Sequence, residues 1–81
     1  MTEQLKFRGR LAEKSLEEKK LRLRMEGLRD SVREILDPFD DIYELRIEVA
    51  VEQVLELAGL QADLKETIDT IAAINKALGN Y

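Results

Sequence analysis

Eighty-one residues with neither cysteine nor histidine are enough for one small domain, but such a chain buries only about 60% of its unfolded surface; no disulfide or Cys/His zinc site can reinforce it, which leaves association as the usual remaining support. With 37% charged residues, one Pro, four Gly, no Trp and 5% aromatics, the composition is that of long helices and not of a sheet, which would show more β-branched alternation. The net charge of −4 conceals two halves of opposite sign: residues 1–36 carry ten Lys/Arg and seven Asp/Glu, residues 37–81 three and ten.

The chain opens with Lys6, Arg8, Arg10, Lys14, Lys19 and Lys20 among isolated apolar residues, so there is no signal-type apolar core and no run long enough to cross a bilayer. A soluble, cytoplasmic protein without a membrane partner is expected. From Leu21 the apolar residues Leu21, Met25, Leu28, Val32 and Ile35 recur in steps of four and three, the a/d rhythm of a packed helix seam. Traced backwards, that rhythm meets Glu18 and Lys14 before Leu11. Residues 1–20 are therefore read either as a solvated extension of helix 1 or, at 1–10, as an arm frayed by Gly9, which costs a helix about 1 kcal/mol relative to Ala.

Asp37-Pro38 is the boundary between helices, because Pro is tolerated at the first helical position and destabilises a helix interior by about 3 kcal/mol. The first helix is expected to end near Leu36. The second is expected to start at Pro38, with Asp37 as its cap and Asp40 and Asp41 in its first turn. Beyond it the seam rhythm runs through Tyr43, Ile47, Ala50, Val54, Leu57, Gln61, Leu64, Ile68, Ile71, Asn75 and Leu78. A continuous helix from 38 to 78 fits that unbroken phase; a stop at Gly59, giving a three-helix bundle, is the alternative.

The sequence thus predicts an all-α single domain over residues 1–81, a helical hairpin with coiled-coil-like packing. Its interface residues are Leu21, Met25, Leu28, Val32 and Ile35 on helix 1, and Tyr43, Ile47, Val54, Leu57, Leu64, Ile68, Ile71 and Leu78 on helix 2. Val51, Ala58, Leu60, Ala72 and Ile74 widen the apolar face of helix 2 beyond what one neighbour covers, so a homodimer or a helical protein partner is expected. Arg22, Arg24 and Arg29 beside the first seam and the ridge Glu44, Glu48, Glu52, Glu56 on the second suit antiparallel packing, while Gln61 and Asn75 would fix register.

Catalysis is not expected. Without His or Cys the commonest general base, the commonest nucleophile and most transition-metal ligands are missing, and no glycine-rich loop follows a strand to hold phosphate. The glutamate ridge reads as a solvated face, since cation sites gather oxygens from a loop or from several helices; neither metal nor cofactor is expected. The competing function is nucleic-acid association through a basic first helix, with Lys19, Lys20, Arg22 and Arg24 as contacts. Glu13, Glu17 and Glu18 interrupt that stripe.

The stretch from Leu5 to Leu36, LKFRGRLAEKSLEEKKLRLRMEGLRDSVREIL, followed by Asp37-Pro38-Phe39 and by Glu52 to Leu60, EQVLELAGL, resembles small uncharacterised proteins of Mu-like prophages. The resemblance implies a short accessory protein of a mobile element that acts by binding, and it assigns no activity and no site residues.

Overall fold

The computed structural model describes residues 2–79, and its architecture is two long α-helices. α1 spans Glu3–Ile35 and α2 spans Ile47–Ala77, with a single 3-10 turn at Ile42–Glu44 between them. The helices fold back on each other as an antiparallel hairpin, a rod of 61 × 20 × 14 Å. Gly59 lies inside an unbroken α2, and the one glycine at positive φ is Gly79, just past its end (φ 79°). The hairpin expectation therefore holds, and the three-helix alternative does not.

α1 begins far earlier than its polar start suggested. Thr2 is extended and its Oγ1 accepts a hydrogen bond from the Leu5 backbone N–H (3.4 Å), while Glu3 sits in the first turn where the helix dipole favours negative charge. Residues 3–10 are helical, Gly9 included, so the frayed arm is corrected. The first third of α1 is not simply solvated either, because Phe7, Leu11, Lys14 and Glu18 are half-buried, continuing the spacing of Leu21, Met25, Leu28, Val32 and Ile35. α1 closes at Leu36, whose N–H donates to the Val32 carbonyl (3.0 Å).

The second helix does not start at Pro38. Asp37 accepts from the Phe39 N–H (2.9 Å) and its carbonyl from the Asp40 N–H (3.2 Å), closing a turn; Asp41 then accepts from Tyr43 N–H (3.3 Å) and heads the 3-10 turn. Aspartate side chains compete with the helix for backbone donors. Two of them, Asp37 and Asp41, divert the chain into successive turns, and Leu45 is still extended (φ −63°, ψ 132°) before α2 sets in. Residues 36–46 are thus the connection, with Arg46 at the head of α2 offering no side-chain cap.

The hairpin seam of α2 also departs from the expected one. Ala50, Gln53, Leu57, Leu60, Leu64, Thr67, Ile71, Ile74 and Leu78 are its buried or half-buried line, and Ile74, at 3% exposure, is the most covered. Ala50, Leu57, Leu64, Ile71 and Leu78 stand where the rhythm put them. The intervening positions are 53, 60, 67 and 74 where the rhythm put 54, 61, 68 and 75; Asn75 is half-buried beside Ile74, Ile47, Val54, Gln61 and Ile68 are exposed, and Tyr43 lies in the connection with 92% of its surface free. Thr67 tolerates burial because its hydroxyl donates to the Asp63 carbonyl (2.9 Å). Gln53 Oε1 is buried without a hydrogen-bond partner.

Register along the rod is marked by Arg24, which donates from Nε (3.2 Å) and Nη2 to Glu56 Oε1 across the two helices. With Arg24 level with Glu56, antiparallel counting brings Phe7 level with residue 73, so the first turns of α1 lie beside Ile74. Among the described residues, no helix is long and apolar enough to cross a membrane.

Candidate interaction surface

At about 100° per residue, α2 carries a second apolar line turned well away from the hairpin seam. It comprises Ile47, Val51, Val54, Ala58, Ala62, Ile68 and Ala72, all exposed, with Leu55 (67% exposed) on its far flank. The four expected interface residues that the hairpin leaves uncovered are accounted for in this way: Ile47, Val54 and Ile68 belong to this outer stripe, and Tyr43 to the turn before it. The residues completing the hairpin seam, Gln53 and Thr67, were missed because their side chains are polar. The signal that could have found them is a second run of steps of three and four lying one residue over, through Leu60 and Ile74.

Two other exposed apolar groups are less continuous. On the back of α1, Leu5, Leu16 and Leu23 are exposed but separated by Gly9, Lys19 and Lys20. In the connection, Phe39 (94% exposed), Ile42 and Tyr43 project from the turns that Asp37 and Asp41 hold in shape. Two of the four aromatic side chains of the sequence thus stand outside any core.

The charged groups do not converge into a reactive centre. Arg22 is paired with Glu18 (2.8 Å), Arg29 with Asp30 (3.2 Å), Lys14 with Glu17 (3.1 Å) and Arg24 with Glu56. At about 100° per residue, Lys19 lies near Arg22 and Lys20 near Arg24, and the two pairs stand about 150° apart around α1. The sequence-predicted nucleic-acid contacts therefore fall on two faces, and two of the four, Arg22 and Arg24, are engaged in ion pairs. Of the three arginines flanking the first seam, Arg24 alone meets the glutamate ridge of α2. Among the described residues no group of three or more His, Cys, Asp or Glu side chains is placed to hold a metal ion.

A groove of about 290 Å³, open to solvent, runs between the helices and is lined by Arg22, Met25, Glu26, Arg29, Leu57, Gln61 and Leu64. Its lining sets a few apolar side chains beneath a charged rim, without the enclosure that a small-molecule site needs. No family model, no curated protein and no solved structure matches the chain.

Proposed function

We propose that the protein is a non-enzymatic helical interaction module that works by laying the outer stripe of α2 against another helix. The observation carrying this reading is the width of the apolar surface on α2. One line of it is covered by α1, and a second line, from Ile47 to Ala72, is left facing water. Burying apolar area is worth roughly 25 cal/mol per Å², and contiguous exposed apolar lines on small domains mark interaction surfaces. A bundle of helices from two chains is the arrangement that covers both lines. The resemblance to small Mu-like prophage proteins supplies a context for such a binding role and assigns it no residue.

Molar mass by light scattering, at low and high salt and up to several hundred micromolar, tests the reading. An assembly larger than one chain that persists in high salt, and that the Val54→Asp, Leu55→Asp double variant returns to single chains with its helical circular dichroism intact, is the expected result. A wild type that stays monomeric throughout, with a melting temperature unmoved by the double variant, would overturn it and favour nucleic-acid association through α1.

A further inference from the structure

From the distribution of size and charge along the outer stripe, we infer that its occupant is a second copy of this chain, packed helix 2 on helix 2, antiparallel, with the two-fold axis at Ala58. This inference rests on the reading of the stripe as a binding surface and adds the partner and its geometry. The stripe is graded in size. Its first half holds Ile47, Val51, Val54 and Leu55, and its second half holds Ala62 and Ala72 around Ile68. Reversing one copy about Ala58 sets Val54 beside the mate's Ala62, large against small, and Ile47 near its Ile68, with the two Ala58 methyl groups meeting where the helices come closest. A parallel pair would set large on large at one end and leave a gap at the other, against the close packing that cores require.

Charge selects the same direction. The only lysines of α2, Lys65 and Lys76, are in its second half, while Glu48, Glu52 and Glu56 are in its first and Asp40, Asp41 and Glu44 lie just before it. Counting outwards from Ala58, Lys65 falls level with Val51 of the mate, within a turn of Glu48 and Glu52, and Lys76 falls about 10 Å past the start of the mate's α2, at the end that Asp40, Asp41 and Glu44 precede. The lysine stem can lie over the apolar stripe while its ammonium reaches a carboxylate. In a parallel pair each lysine would face its own copy and the acidic turns would lie side by side. Exposed pairs contribute little stability, and like charges placed together at an interface act strongly against the wrong arrangement. Apolar contact therefore supplies the attraction and charge sets the direction.

The back of α1 is the weaker rival for the same stripe, because Leu5, Leu16 and Leu23 are too widely spaced to face a continuous line. Such a contact would also be heterologous and would build chains instead of closed dimers.

The chain has no cysteine, so Ala73→Cys gives one attachment point for a spin label, on an exposed turn fifteen residues from the proposed axis. Double electron–electron resonance on the labelled full chain should read a separation of about 45 Å, thirty residues at 1.5 Å each, and light scattering should read two chains per particle. Val54→Asp should abolish both, and Leu16→Asp should leave both unchanged. Labels within about 20 Å of each other would mean a parallel pair. Particles that grow past a dimer, or that Leu16→Asp and not Val54→Asp dissociates, would mean the back of α1 is used. Either outcome overturns this geometry while the interaction reading stands, whereas a monomer at every concentration removes both.

Discussion

Gly59 was the one residue at which two folds diverged, and its environment now settles what a side chain there would do. It lies in right-handed helix, and a Cβ built on it meets nothing within 4 Å. Gly59→Ala should accordingly stabilise the protein by about 1 kcal/mol, through higher helix propensity and lower entropy of the unfolded chain. Chemical denaturation with an unchanged denaturant slope is the check, and a loss of stability would show that α2 is broken there. Gly79 behaves oppositely. At φ 79° it takes up the left-handed conformation in which the helix ends, with its N–H donating to the Lys76 carbonyl (3.1 Å), and a side chain there would be strained. Both glycines follow apolar residues in sequence. What separates them is the backbone, right-handed at Gly59 and left-handed at Gly79.

Among the elements, α1 shows how far periodicity can be read and α2 shows where it divides. The line Leu21, Met25, Leu28, Val32, Ile35 was legible because α1 has one apolar face, and burial of Ile35 agrees with it. In α2 two lines of seam spacing run through Ala50, Leu57, Leu64, Ile71 and Leu78, and they differ in taking the third or the fourth residue between them. Counting apolar side chains favours the fourth, because Val54 and Ile68 outrank Gln53 and Thr67. The hairpin buries the third, because α1 comes from the side on which Arg24 meets Glu56. Sequence pattern records that a face is apolar and not which neighbour covers it. The connection was misread for a different reason: Pro38 suits a helix start and a turn equally, and only the backbone donors taken by Asp37 and Asp41 decide between them. The two faces of α2 can be separated by charge insertion. Leu64→Asp places a carboxylate in the hairpin seam and should unfold the protein or destabilise it by upward of about 3 kcal/mol. Ile68→Asp, on the outer stripe, should keep the helical circular dichroism and act on molar mass instead. Equal effects of the two variants on helicity would mean that the two lines form one seam.

At the scale of the whole molecule, the hairpin alone is thin. A rod 14 Å deep is a single layer of helices, and Ile35, Ala50, Thr67 and Ile74 are its only described residues below 9% exposure, with no large side chain fully covered. Two helices in contact along one line bury little area per residue, and a chain of this size has few reserves against the conformational entropy of folding. If burial of the outer stripe between two copies supplies the missing stability, folding and association are one process and the melting temperature must depend on concentration. For a dimer that unfolds to two separate chains, a hundredfold dilution lowers stability by about 2.7 kcal/mol per dimer. With the entropy of unfolding of some 160 residues, that is a fall of roughly 5–10 °C in Tm. Thermal melts followed by circular dichroism from about 2 to 200 μM should show this fall, and the same series on the Val54→Asp variant should show a low Tm that concentration does not move. A wild-type Tm constant across that range would mean that the hairpin stands by itself and that no second copy covers its outer stripe.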